Sequence, residues 1–270
     1  MESFIASDGV RPSYFVDDFT DPWKSAPLLF LLHAAMGCSR RYYAWVPPLS
    51  RHYQVVRMDL RGHGTSDIPP ASRELTLERL VRDVAELMDN LGCASAHIVG
   101  NSAGGYLAQQ LAMNRPERVR SLMLFGSTPG LKHSQAPSWI PQIEAKGLRA
   151  FLAETIADRL PLDKVDPGLV EWFLDEAAKN DPAYIGKFVL LMASYDWSEE
   201  LYRIGCPTLV VVPGAEPIGS TANYHPFGRH VKDVEMLVYD GAPHNICDTF
   251  PDRCAADVLN FLTRRFGLGV

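Results

Sequence analysis

A serine hydroxyl attacks a carbonyl only when a base takes its proton and fixed donors receive the negative charge that develops. Ser102 stands in Gly100-Asn101-Ser102-Ala103-Gly104, a G-x-S-x-G turn between a strand pattern ending at Gly100 and a helix pattern beginning at Ala103. Such a turn strains the backbone and pushes the hydroxyl into a cleft, and its glycines are needed where side chains would collide as strand and helix close up. His244, in Asp240-Gly241-Ala242-Pro243-His244-Asn245, follows the last strand pattern and is the predicted base. The other histidines fit less well: His63 lies in the glycine-bounded turn Arg61 to Gly64, His97 along a strand, and His52, His133, His225 and His230 in loops or cap-like segments. The orienting acid is read as Glu216, in the turn Pro213-Gly214-Ala215-Glu216-Pro217, because the chain order serine, acid, histidine puts it there. The competing reading leaves Glu216 solvated and gives the task to Asp240 or Asp248. Oxyanion donors are expected from the N–H of Ala103 and from the loop His33-Ala34-Ala35-Met36-Gly37, Ala35 foremost. His33 is expected to support that loop and to stand at the substrate site.

These residues need a scaffold that brings distant loops together. Apolar runs at Leu28 to Leu32, Gln54 to Asp59, His97 to Gly100, Ser121 to Phe125, Thr208 to Val212 and Glu235 to Tyr239 read as buried strands. Helical patterns separate most of them. Leu77, Leu80, Val81, Val84, Leu87, Met88 and Leu91 recur at helical spacing before Gly92; a second helix runs from Ala103 towards Asn114, and a third starts at Pro251. The alternation predicts an α/β fold: a mainly parallel sheet with helices on both faces. Between residues 130 and 203 the strand pattern stops and helical segments follow one another, with breaks at Gly147, Pro161, Pro167 and Pro182. This stretch is predicted to be an inserted helical cap, with residues 1–129 and 204–270 forming the core. Asp166-Pro167 and Asp181-Pro182 each read as an N-cap followed by proline in the first turn.

Composition excludes several other classes. With 270 residues, 47% hydrophobic and 21% charged, the chain suits one globular core. A net charge of -6 and the lack of any basic run give no basis for a nucleic-acid partner, and no apolar run is long enough to cross a bilayer. The N-terminus lacks the basic start and apolar stretch of a signal peptide, so cytoplasmic residence is expected. Five widely spaced cysteines without a C-x-x-C pair read as free thiols. With no H-E-x-x-H and no phosphate loop, neither metal nor organic cofactor is implied, and the expected partner is a small-molecule substrate.

The segments Leu32-His33-Ala34-Ala35, Asp59-Leu60-Arg61-Gly62-His63-Gly64-Thr65-Ser66, Gly100 to Gly105, Arg115-Pro116-Glu117-Arg118-Val119, Pro207 to Val211 and Gly241-Ala242-Pro243-His244 together resemble the α/β-hydrolase superfamily. The resemblance is greatest to its small capped members, which include 3-oxoadipate enol-lactonases and meta-cleavage-product hydrolases. It implies an α/β-hydrolase fold, a Ser-His-acid triad and hydrolysis of a small ester or lactone. Two departures stand out: His33-Ala34 replaces the family's usual His-Gly, and Glu216 its usual Asp. Some relatives keep the acid one strand earlier, but here that place reads Phe125-Gly126-Ser127-Thr128. The same residues would also serve hydrolysis of a carbon–carbon bond in a vinylogous diketone, and the fold admits a ligand receptor. Of the cap aromatics, Trp139 and Phe188 are the favoured pocket residues. Arg149 and Arg159 read as solvated surface cations, with an anionic substrate as the alternative partner.

Overall fold

The computed structural model describes residues 1–132 and 134–267; His133 and residues 268–270 lie outside them. The sheet runs in the order β1 (Glu2–Ser3), β2 (Ser13–Asp17), β4 (Gln54–Met58), β3 (Leu28–Leu32), β5 (Ala96–Asn101), β6 (Val119–Phe125), β7 (Thr208–Pro213), β8 (Val234–Tyr239). From β4 to β8 all neighbours are parallel, whereas β2 pairs antiparallel with both β1 and β4. The sequence reading missed β1 and β2. Their apolar pattern is weak because β2 turns half-buried after Tyr14 and β1 is exposed.

The parallel strands are continuous apolar runs because both sheet faces are covered. Along β3, Phe30 and Leu32 face one cluster with Ile98 of β5, while Leu29 and Leu31 face the other with Val99, the period of two that a pleated strand imposes. Helices α1 (Leu77–Asn90) and α2 (Ala103–Asn114) cover the first face. Helix α6 (Pro251–Phe266) covers the second through Cys254, Val258, Phe261 and Leu262. Val258, Phe261 and Leu262, each fully buried, contribute roughly 1.5–3 kcal/mol apiece relative to leaving them in water. Thr76 caps α1 by accepting the N–H of Arg79 at 3.1 Å, and Gly92 takes φ +64° just past its end.

Between β6 and β7 the chain forms α3 (Ile140–Glu154), α4 (Pro167–Ala178) and α5 (Pro182–Ala193). Gly147 kinks α3 with φ +78°. Asp166 and Asp181 cap α4 and α5 by accepting the N–H of Gly168 at 2.6 Å and of Tyr184 at 2.7 Å. The three helices share an apolar cluster of their own, containing Ile143, Phe151, Leu174 and Ile185, which Met36 joins from the loop after β3. Among the described residues no helix is long and apolar enough to cross a membrane.

Candidate active site

The elbow after β5 is fixed by backbone crowding. Ser102 adopts φ +49°, a conformation costly for a residue with a side chain. A Cβ on Gly104 would lie 2.2 Å from the carbonyl oxygen of Leu32, and one on Gly100 would lie 2.4 Å from Gly105 Cα, so only glycine lets β5, α2 and β3 meet here. Ser102 N–H donates to Phe125 O at 2.9 Å. Its own carbonyl accepts Ser127 Oγ at 2.8 Å, and Ser127 is held by Gln109 Nε2 at 3.2 Å, whose Oε1 accepts Trp197 Nε1 at 2.8 Å. Sequence reasoning missed this buried support, because no motif joins residues so far apart.

His244 stands over the serine with Nε2 3.1 Å from Ser102 Oγ, and its Nδ1 lies 2.8 and 3.0 Å from the two carboxylate oxygens of Glu216. An ionised carboxylate only accepts, so Nδ1 carries the proton and the Nε2 lone pair faces the hydroxyl. Burial pushes the Glu216 carboxyl towards its neutral form, but His244, the N–H of Ile218 and the Tyr224 hydroxyl outweigh it and hold the pKa below the usual value. The competing carboxylates are elsewhere: Asp248 is taken by Arg41 and Asn245, and Asp240 is exposed. The turns carrying acid and base are tied together, with Gly214 N–H donating to Tyr239 O and Ala215 N–H to Ala242 O, both at 2.9 Å. The base turn also leans on the segment after α3, since His244 N–H donates to Asp158 O at 3.3 Å and Asn245 N–H to Arg159 O at 3.0 Å.

Ala35 and Ala103 both border the cavity above Ser102. Ala103 opens α2, so its N–H has no acceptor within the helix and the positive end of the helix dipole points at the serine. Ala35 lies in a tight turn closed by Gly37 N–H to Ala34 O at 3.1 Å, with Met36 at φ +59°. Ser102 and Met36 are the two non-glycine residues with positive φ among the described residues, and both border this cavity. His33 does not reach it, which corrects its expected place at the substrate. Its Nε2 accepts Leu60 N–H at 2.9 Å, and its Nδ1 donates to Ala34 O at 2.8 Å. Burial lowers its pKa to about 4, so the ring is a neutral brace for the loop.

The cavity is narrow, about 70 Å³, and mostly apolar, with Leu131, Trp139, Leu152, Phe173, Val189 and Met192 in its walls. Trp139 therefore borders it, whereas Phe188 does not: its ring packs 4.7 Å from that of His63 in the interior. Arg149 is a surface cation paired with Asp175 and Glu171. Arg159 is not on the surface at all; it is 6% exposed and borders the cavity together with Arg41, which the sequence reading did not single out. Among the described residues no group of three or more His, Cys, Asp or Glu side chains could hold a metal.

Comparison with known proteins agrees with this architecture. The alpha/beta hydrolase fold family matches residues 27–165. The chain is 28% identical to 3-oxoadipate enol-lactonase 1 of Acinetobacter baylyi over 203 residues, 73% of this chain and 74% of that protein. It is 26% identical to proline iminopeptidase PfmaB of Pestalotiopsis fici, with 91% and 94% of the two chains covered. Among solved structures, a hydrolase from Pseudomonas aeruginosa PA01 superposes with a TM-score of 0.85 and 28% identity over 97% of each chain.

Proposed function

Because the chain belongs to the alpha/beta hydrolase fold family, we propose that it is a serine hydrolase cleaving a small carboxylic ester or lactone through an acyl-enzyme. The observation that carries this reading is the unbroken line from Ser102 Oγ through His244 to Glu216 beneath an apolar cavity. Ser102 attacks the carbonyl carbon as its proton passes to His244 Nε2, and Glu216 stabilises the imidazolium that results. The N–H groups of Ala103 and Ala35 receive the oxyanion. His244 then protonates the leaving alkoxide, and water, activated by the same ring, releases the acyl group. Residues 130–203 act as the cap that closes the site and selects the acyl group, and the narrowness of the cavity favours a small one.

A fluorophosphonate probe is expected to label Ser102, as read by mass spectrometry, and the label is expected to vanish in Ser102→Ala. Aryl esters of graded chain length, simple lactones and a coloured ring-fission diketone complete the test. Turnover of the diketone without any ester or lactone would replace ester hydrolysis by carbon–carbon cleavage. Absence of labelling in folded protein would remove the nucleophile from the scheme.

A further inference from the structure

We propose that Arg159 binds a free carboxylate on the substrate, so that the ester or lactone opened at Ser102 is a small monoanion. This rests on the hydrolase reading of the same cavity and adds the substrate's charge to it.

Two guanidinium groups border the cavity, and they differ in what balances them. Arg41 is paired through two nitrogens with Asp248, both side chains almost fully buried, and lies 4.3 Å over the Phe173 ring. Its charge is spent within the protein. Arg159 is as deeply buried, yet its hydrogen bonds go only to Thr155, from Nη1 to the carbonyl oxygen at 2.9 Å and to Oγ1 at 2.8 Å. Among the described residues no carboxylate lies within ion-pair distance of it. A guanidinium offers five N–H donors in a planar fork, so most of this one's donors are left for something else. Its ring neighbours, Trp139 and Phe151, each 5.7 Å away, favour a cation but accept no conventional hydrogen bond. Asp158 and Glu216 help only from a distance, and burial lowers the Arg159 pKa to about 10.

Removing an unpaired charge from water is costly, so a buried cation without a counter-ion marks a place where a ligand supplies one. Arg159 contributes one unbalanced positive charge, since Arg41 in the same wall is neutralised by Asp248, and a single charge suits a carboxylate better than a doubly charged phosphate. Its position also orients the ligand. Arg159 and Trp139 border both the cavity over Ser102 and an outer cleft lined by Ser134, Gln135 and Asn223. The carboxylate end therefore lies towards the cleft and the carbonyl under attack towards Ser102. Because the Arg159 carbonyl holds Asn245 N–H, a ligand on the guanidinium also steadies the turn that carries His244. Binding energy at the remote carboxylate is thus expected in kcat as well as in KM.

The test compares 4-nitrophenyl hydrogen glutarate with 4-nitrophenyl pentanoate, which replaces the free carboxylate by a methyl group. The wild-type enzyme is expected to prefer the anion in kcat/KM. Arg159→Gln should lower the ratio of anionic to neutral kcat/KM by about a hundredfold, and Arg159→Lys should restore part of it. A wild-type preference for the neutral ester, or a ratio unchanged in Arg159→Gln, overturns the proposal. Calorimetric titration with glutarate reads the anchor without chemistry: binding to wild type and Ser102→Ala but not to Arg159→Gln supports it, and no binding to either of the first two overturns it. If neither ester is turned over and no probe labels Ser102, the hydrolase reading fails while glutarate binding still decides the anchor. If Arg159→Gln does not fold, the wild-type ester preference and glutarate binding to wild type decide it.

Discussion

On the floor of the cavity Ser102 is fixed by backbone: glycines at 100 and 104 that admit no Cβ, and a carbonyl held by Ser127. In the roof, Trp139 and Arg159 are fixed by packing, against Phe151 and Thr155. The floor tolerates almost no change of shape, because two backbones already touch there. The roof can exchange side chains while its helices stay in place, so it is where specificity can change without loss of the reacting groups. The two halves meet at the turn carrying His244, bound to Glu216 on one side and to the carbonyls of Asp158 and Arg159 on the other.

The largest expected effect tests the floor chemically. Glu216→Gln keeps the volume but gives His244 Nδ1 a partner that can donate, which favours the wrong tautomer, and kcat on an aryl ester should fall by about 10⁴-fold. A loss below tenfold would mean that Glu216 does not orient the base. Next comes a paired substitution of glycines. Gly104→Ala puts a Cβ 2.2 Å from Leu32 O and is expected to cost about 3 kcal/mol or more in denaturant unfolding, with loss of activity. Gly147→Ala in the roof has nothing within 4 Å and meets only the strain of φ +78° with ψ 167°, about 1–3 kcal/mol. Equal costs would erase the difference drawn between floor and roof.

That difference also decides what could be read from the sequence. The floor is written in short contiguous signals: five residues at the elbow, an apolar strand before Glu216, and Gly241 to His244 after another. Each is local, so order along the chain was enough to place them. The roof is not local. Phe188 and Val189 are neighbours on α5, about 100° apart around the axis, and only the packing of three helices decides that Val189 borders the cavity while Phe188 packs inside. Half of the twelve residues of α5 are buried and Lys187 is its one charged residue, so its pattern has no clean polar face to orient it. Arg159 read as a surface cation for the same reason, since arginine is seldom buried and nothing beside it in sequence reveals that the turn after α3 faces inwards. The brace formed by Gln109, Ser127 and Trp197 joins three elements and leaves no motif.

A smaller effect is expected from Trp139→Leu. It keeps the reacting groups and an apolar wall, so KM should rise about three- to tenfold with kcat changed less. A fall in kcat as large as that of Glu216→Gln would show that the roof aligns the reacting groups.

The smallest effect concerns how floor and roof are joined. His63 donates from Nδ1 to Arg61 O at 3.0 Å, and its Nε2 is buried without a partner. Its ring packs 4.7 Å from that of Phe188 and 6.0 Å from that of Tyr184, both on α5, and 5.3 Å from that of His33. Burial lowers the pKa of His63 to about 3 and of His33 and, on β5, His97 to about 4, from an ordinary value of 6.5. Below pH 6.5 the unfolded chain therefore binds protons that the folded chain refuses. Stability is full above that pH and falls as pH drops towards 4, by up to about 1.4 kcal/mol per pH unit for each ring. Between pH 6.5 and about 5.5 the carboxylates with lowered pKa are ionised in the folded and the unfolded chain alike and add little. His63→Phe removes one of the three titrations and keeps an aromatic ring against α5, so the slope of Tm against pH in that window should fall by about a third. Because His63 lies where α5 docks, hydrogen exchange on mild acidification should rise first in residues 182–193 and later in residues 96–114. Simultaneous loss of protection in both would mean that floor and roof unfold as one unit.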